Sequence, residues 1–392
     1  MLLTDRDLLA RLVGFDSTSS KSNLPIADFV CNYLDRSGVT IERQPGPDGT
    51  KVNVVAIAGP ADAEPNTPMG GLTLCGHLDV VPAKEPGWNT KPFRMAEVEQ
   101  RYVGRGTCDM KGSVALAMNL LAAAGAQELR QPLALLLTFD EELGSLGAQH
   151  FARTWPADRP LPTNVVVGEP TSLRAVRMHK GHLWMEVTVY GTAAHSGSPH
   201  LGHNAIEAAT RVVSALSRLS DVFKQKRSDN SRYFSTVPFA VLNVARIAGG
   251  EAVNVIPDRC VVDLGLRLLP GMNTEAAIEW IRDAATKADP QSRITVSVRN
   301  NNPPMLLDPD AAIHTALCEQ LGQEQSFGVS FASDAGVLSE LGMQCVLFGP
   351  GSIEAAHKPN EFVPIDEFNR AGDILRQLVT KFCLTREAEP AR

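Results

Sequence analysis

Two histidines and three carboxylates, His77, Asp109, Glu142, Glu169 and His357, are the residues of this 392-residue chain whose types and placement can do chemistry. Four of them follow short apolar runs that read as buried strands. Gly71 to Gly76 leads into His77, Leu133 to Phe139 into Asp140-Glu141-Glu142, Val165 to Val167 into Gly168-Glu169, and Cys345 to Phe348 into a glycine-rich turn and then His357. In an open, mainly parallel sheet, ligands collect beyond the carboxyl ends of the strands. Nitrogen and carboxylate donors gathered at such an edge suit Zn²⁺ or a similar divalent ion. Five donors plus a spare glutamate, Glu141, exceed what one tetrahedral zinc needs. They suit a two-metal hydrolytic site with one bridging carboxylate.

Each residue alone has a plainer reading. His77 could be a strand-end histidine satisfied by a carbonyl; with Asp79 two residues on, it reads instead as a ligand with its orienting carboxylate. Asp109 lies in Gly104-Arg-Gly-Thr-Cys-Asp-Met-Lys-Gly ahead of a helix and could be a cap. Asp140, Glu141 and Glu142 could be surface acids, but the apolar strand before them places like charges near a buried edge, where they need a cation or protons. The specificity lies in the set.

The elements that must position this set follow from pattern. Asp5 to Val13 and Pro25 to Ser37 read as amphipathic helices, Lys51 to Ala58 as an apolar strand, and Pro60 to Pro68 as a surface loop. Ser113 to Ala124 is a small-residue helix and Ser145 to Thr154 a further one. The character changes near His179-Lys180-Gly181-His182, a basic hinge. Leu183, Met185, Val187 and Val189 alternate with Trp184, Glu186, Thr188 and Tyr190, as in a half-buried antiparallel strand. A helix from Asn204 to Leu219, with Ile206, Ala209, Val213 and Leu216 on one stripe, follows it. Strands at Phe239 to Ile247 and Cys260 to Leu268, a helix at Thr274 to Ala288 and a strand at Ile294 to Val298 complete a β-α-β-β-α-β order, that of a ferredoxin-like module. The chain is therefore expected to be α/β: a mainly parallel catalytic domain, residues 1–181 and 303–392, with an inserted α+β lid and dimerisation domain at 182–302. A helix at Glu367 to Phe382 closes it.

The bulk numbers bound the class. At 392 residues two domains are the natural expectation. A net charge of -7 gives no basic footprint for nucleic acid, and Lys224-Gln-Lys-Arg227 reads as a solvated loop. No apolar run reaches the roughly 18–20 residues of a membrane span. The amino terminus lacks a secretory pattern, which points to the cytoplasm. The seven cysteines are scattered and free of CxxC spacing, as expected of reduced thiols. Cys75 and Cys108 are expected to pack behind the site. Arg267 shares a strand face with Asp263 and Gly265, where a guanidinium could take a substrate carboxylate or pair with Asp263. The turn at Gly349 could offer backbone N–H groups to a carboxylate or be purely structural.

The strings GHLDVVP (76–82), GRGTCDMKG (104–112), DEELGSLGA (140–148), GEPT (168–171), AHSG (194–197) and GPGSIEAAHKPNE (349–361) together resemble the co-catalytic zinc amidohydrolases. The resemblance spans nearly the whole chain. EPTSLRAVRMHKGH (169–182), STVPFAVLNVARIAGGEAVNVIP (235–257), RLLPGM (267–272) and the GPGSI-to-histidine linkage resemble the acetylornithine deacetylase branch. The resemblance implies that His77 and Glu169 hold one metal, Glu142 and His357 the other, and that Asp109 bridges. Both ions would be Zn²⁺, with Co²⁺ as the alternative. It further implies Glu141 as general base, Asp79 as orienter of His77, His195 as an oxyanion donor from the partner of a homodimer, and Asn254 as a substrate contact. The Asp109–Met110 peptide bond would be cis. The implied reaction is hydrolysis of N-acetyl-L-ornithine in arginine biosynthesis. Sister activities on N-acetylcitrulline, N-acetylmethionine or N-succinyl-diaminopimelate use the same scaffold, and a non-catalytic binding protein would have lost a ligand or the base.

Overall fold

A computed structural model describes residues 2–60, 69–125 and 127–384. The expected loop at Pro60 to Pro68 lies, apart from Pro60, outside the described residues. The chain begins with helices α1 (Asp5–Val13) and α2 (Leu24–Leu34). Strands β1 (Val39–Pro45), β2 (Val52–Ala58) and β3 (Leu72–His77) follow. Next come α3 (Gly112–Ala124), β4 (Leu133–Thr138), α4 (Leu146–Thr154), β5 (Asn164–Val167) and β6 (Val176–His179). The chain then builds β7 (His182–Tyr190), α5 (Ala205–Gln225), β8 (Val241–Gly249), β9 (Arg259–Arg267), α6 (Thr274–Ala288) and β10 (Arg293–Asn302). It ends with α7 (Ala312–Leu321), α8 (Asp334–Glu340), β11 (Gln344–Leu347) and α9 (Ile365–Val379).

These elements divide into two compact units, one of residues 1–177, 307–327 and 333–392, the other of 178–306 and 328–332. The first is a mixed α/β unit whose strands run in the order β1-β2-β4-β3-β5-β11-β6. Its centre is parallel: β3 pairs parallel with β4 and with β5, and β11 pairs parallel with β5. The four strands that precede the suspected ligands therefore end at one edge. They are largely apolar because both faces are covered: every residue of β3 and of β4 is buried. Leu8, Leu9 and Leu12 of α1, Val30 of α2, Leu116 and Leu121 of α3 and Leu375 of α9 share one core with Leu74, Leu135 and Val166 of the sheet. α3 is buried nearly all round, which its alanines permit by allowing close approach.

The second unit is a four-stranded antiparallel sheet in the order β8-β9-β7-β10 with α5 and α6 on its core. That is the ferredoxin-like order expected from the pattern. Leu183, Met185, Val187 and Val189 are each fully buried, while Trp184 is half exposed. The stripe of α5 is rotated from the expected one. Ala205, Ala208, Ala209, Val212, Ala215 and Leu216 are buried, whereas Ile206 and Val213 sit at the margin of the core. Small residues face the sheet because they let the helix backbone approach it closely. α5 also runs on to Gln225, so Lys224 lies in its last turn and pairs with Asp221. Lys226 stacks over Trp280 and Arg227 over Phe239, so this cluster is more than a solvated run.

Candidate metal centre

The parallel strands deliver the five donors to one place. His77 is the last residue of β3, Glu142 follows β4 by four residues, Glu169 follows β5 by two, and His357 lies beyond β11. Asp109 comes from a tight turn at Thr107–Lys111 before α3, with a cis Asp109–Met110 bond as the resemblance implies. Gly168 is required for the approach: a Cβ there would fall 2.4 Å from that of Ser113.

His77, Asp109 and Glu169 offer ligand atoms within 4.8 Å of one another, and so do Asp109, Glu142 and His357. Asp109 belongs to both groups. His77 Nε2 lies 3.0 Å from Asp109 Oδ1, and His357 Nε2 lies 3.3 Å from Asp109 Oδ2. His357 Nε2 is also 3.0 Å from Glu142 Oε2. The two positions differ in exposure. His77, Asp109 and Glu169 are buried, whereas the His357 side chain is 47% exposed.

The donor set fits divalent cations. Burial and neighbouring acids, Glu169 first, push the Glu141 carboxyl well above the usual range. Burial and Asp109 do the same to Glu169 and, less strongly, to Glu142. Burial also opposes ionisation of Asp109, but its bonds from His357 and His77 win and hold it low. Bonds to Asp109 and Glu142 raise His357 to about 10. Imidazoles and carboxylates so crowded hold protons where cations would otherwise stand. His77 is tautomerically prepared. Its Nδ1 donates to the backbone carbonyl of Asp79 at 2.9 Å, which leaves Nε2 as the ligand atom.

Asp79 works differently from the sequence expectation. Its carboxylate stands 3.6 Å from His77 Nδ1 and accepts instead from Ser19 Oγ (2.7 Å), Glu141 N (3.0 Å) and Glu142 N (3.3 Å). The three consecutive acids also part ways. Asp140 binds Lys51, Glu142 meets His357, and Glu141 stays among the buried carboxylates.

Several supporting residues carry no sequence signal that singles them out. Glu361 Oε1 accepts the N–H groups of Cys108 and Asp109, each at 3.0 Å, and its Oε2 takes Arg105 Nη1 at 2.8 Å. Arg105 in turn binds Glu85. Asp334 accepts from Thr138 Oγ1 at 2.6 Å. Cys75 and Cys108 are buried thiols, both pushed well up by burial, and all seven cysteines are unpaired. They pack behind the site.

The turn at Gly349 is structural. Its N–H donates to Thr171 Oγ1 at 3.2 Å and that of Gly351 to Glu367 Oε2 at 2.8 Å, which corrects the reading of Gly349 as a carboxylate contact. In the second unit His195 pairs with Val255 in a short ribbon, and Ser196 N donates to Asn254 O at 2.9 Å, so His195 and Asn254 lie together, both exposed. His195 Nδ1 accepts from Gly197 N at 3.0 Å, which leaves the ring proton on Nε2 as an outward donor. Asp263 pairs with Arg246 at 3.5 Å. Arg267 is half-buried near His179, Lys180 and His182. Burial first, then Arg267, lowers both histidines to about 4 and Lys180 to about 8.

A parallel-sheet unit with this donor set, carrying an inserted ferredoxin-like unit, defines a metallo-amidohydrolase. The chain belongs to peptidase family M20/M25/M40, whose sequence pattern matches residues 73–381. It is 34% identical over 377 residues to the acetylornithine deacetylase of Proteus mirabilis, covering 95% of this chain and 94% of that one. It is 35% identical over 384 residues to the acetylornithine deacetylase of Myxococcus xanthus, covering 96% and 97%. Among solved structures, the metallo-carboxypeptidase Sso-CP2 of Sulfolobus solfataricus matches with a TM-score of 0.74 at 17% identity, over 96% of this chain and 99% of that one. A tripeptidase of Staphylococcus aureus matches with a TM-score of 0.72 at 18% identity, over 96% and 97%. Among the described residues no helix is long and apolar enough to cross a membrane.

Proposed function

We propose that this chain hydrolyses N-acetyl-L-ornithine to ornithine and acetate, a step of arginine biosynthesis in the cytoplasm, as a homodimer joined through its inserted unit. The observation that carries the hydrolytic part is the sharing of Asp109 between two donor groups, with Glu141 beside both. The substrate rests on the two acetylornithine deacetylases matched over nearly their full lengths.

His77 and Glu169 would hold one ion, Glu142 and His357 the other, with Asp109 between; Zn²⁺ suits these donors and Co²⁺ is the alternative. Two such cations, when bound, lower the pKa of water and polarise the acyl carbonyl. The remaining work belongs to the protein. Glu141 accepts the proton of the attacking water as the C–O bond forms. It then delivers the proton to the leaving nitrogen as the C–N bond breaks. Nε2–H of His195, from the partner subunit, donates to the oxyanion. Arg267 and Asn254 take the substrate's α-carboxylate.

A panel of N-acetyl-ornithine, N-acetylcitrulline, N-acetylmethionine and N-succinyl-diaminopimelate, assayed with Zn²⁺ and with Co²⁺, tests the reading. The highest kcat/KM is expected for N-acetyl-ornithine. A preference for another member would keep the chemistry and replace the substrate. No turnover of any by metal-loaded protein would overturn both.

A further inference from the structure

Asp334 is a buried acid that none of these roles uses. It is 1% exposed, and it opens α8 in a segment more than 190 residues beyond the two glutamates' turn. Its Oδ2 accepts from Thr138 Oγ1 at 2.6 Å. Thr138 is the last residue of β4, the strand that launches Asp140, Glu141 and Glu142. Asp334 Oδ1 is buried with no hydrogen bond among the described residues; burial raises the acid's proton affinity, and the hydroxyls of Thr138 and, less strongly, Ser145 oppose that shift. Ser145 is fully buried, and it reaches the base as well: its Oγ lies 3.4 Å from Glu141 Oε1, and its N–H donates to Glu141 O at 2.8 Å.

The backbone underlines the arrangement. Ser145 has a φ of 59° and Asp140 a φ of 49°, left-handed values that non-glycine residues seldom take. Such conformations persist where surrounding contacts over-determine them. Here the turn from 140 to 145 is tied down by Lys51 at Asp140, by Asp79 at the N–H groups of Glu141 and Glu142, and by the Ser145 N–H on Glu141. These ties fix the backbone of Glu141 rather than its carboxylate. Among the described residues the Ser145 hydroxyl reaches that side chain, its O–H directed at Glu141 Oε1, and Asp334 lies near the same hydroxyl.

We propose that Asp334 is a positioning residue for the base. Through Ser145 and Thr138 it fixes the direction in which the Glu141 carboxylate points. The inference rests on the reading of Glu141 as general base. A base held off its line by about 1 Å can lose on the order of 10²-fold in rate with binding intact.

The test compares Asp334→Asn and Ser145→Ala with the wild type, fully metal-loaded, alone and in a Glu141→Gln background. Each single variant is expected to lower kcat by roughly 10- to 10²-fold, with KM, metal stoichiometry and the Co²⁺ absorption spectrum unchanged. In the Glu141→Gln background neither is expected to lower the residual rate further. Loss of metal from Asp334→Asn would overturn the proposal and make Asp334 a support of His77. An equal loss in both backgrounds would overturn it too, since Asp334 would then act by another route. Should Asp334→Asn fail to fold, Ser145→Ala decides alone: unchanged kcat overturns the proposal. Full turnover by Glu141→Gln would instead remove the reading beneath it, and that result is visible without any Asp334 variant.

Discussion

The carboxylate of Asp79 accepts the backbone N–H of Glu141 at 3.0 Å. It also accepts Glu142 N and Ser19 Oγ, while its backbone carbonyl holds His77 Nδ1. One residue thus ties the end of β3 to the turn after β4. Asp79→Ala is expected to leave His77 in place through the carbonyl and to loosen the glutamate turn. Outer partners of metal ligands are worth about 10- to 100-fold in affinity or activity. Metal titration and turnover should both fall by such a factor, with the position held by Glu142 losing its ion first. Unchanged values for both would show that the turn holds itself.

Glu141 and Glu142 are adjacent but face different partners, and their variants should part accordingly. Glu142 meets His357 at 3.0 Å, whereas Glu141 has no such ion pair among the described residues and is close to Ser145. Glu141→Gln is expected to keep both metals and lose roughly 10²–10⁴-fold in turnover. Glu142→Gln is expected to lose metal. Elemental analysis beside the assay reads both, and the reverse pattern would exchange their roles.

Four of the five donors were legible because they follow apolar runs long enough to be buried strands, whereas Asp109 comes from the turn before α3. The parallel pairing of β3, β4, β5 and β11 turns that local pattern into one edge. The alternation of β7 was equally readable, since a half-buried strand writes its burial into a period of two. α5 was harder: alanine is apolar enough for either side, and the face is decided by how closely the helix can approach the sheet. Glu361 closes one of the resembling strings, but its role was not legible, and Asp334 carried no signal. Glu361 is 252 residues from Asp109, and Asp334 opens a helix of seven residues, too short for a periodicity. Their roles depend on long-range contacts that no local pattern encodes. Spacing placed Asp79 beside His77 but does not say which oxygen faces the ring: the backbone carbonyl takes Nδ1 at 2.9 Å and the carboxylate stands at 3.6 Å.

The crowded protons give the site a pH signature. Glu141, Glu142 and Glu169 have raised proton affinities in the metal-free fold, burial being the first cause. Groups of that sign stabilise below their ordinary range and lose the contribution as pH rises through the folded values. His357, raised from 6.5 to about 10, behaves alike: its contribution is complete below 6.5 and gone above about 10. Asp109 has the opposite sign: its contribution is present above its ordinary range and is lost only in acid. Metal-free protein is therefore expected to weaken from neutral pH upward, and metal binding to release protons. The rise in Tm on adding Zn²⁺ should be larger near about pH 8.5 than near about pH 6, since metal competes with those protons. An equal rise at both would count against proton–metal exchange.

Glu361 anchors the Asp109 turn from across the chain. It holds two backbone N–H groups and the buried Arg105 guanidinium. Glu361→Ala would leave all three without it in a buried setting. Removing one partner of a buried ion pair costs about 3–5 kcal/mol. Urea unfolding should show a loss of that order, together with weaker metal binding through Asp109. A loss under about 1 kcal/mol, the scale of an exposed pair, would mean that Arg105 and the turn find other partners.

His195 offers the last test, because it links assembly to chemistry. Its Nδ1 takes the Gly197 N–H, so the ring presents Nε2–H, the form an oxyanion donor needs. His195→Ala is expected to keep its metals and lose roughly 10²–10³-fold in kcat, as for a deleted oxyanion donor. If the ring serves the partner's site, inactive His195→Ala and inactive Glu141→Gln should complement each other. In a mixed dimer one site carries both defects and the other neither, so activity should partly return on mixing and re-association. Heterodimers that form without any recovery would place His195 in its own subunit's site or outside the reaction, and the Nε2–H tautomer would then need another acceptor.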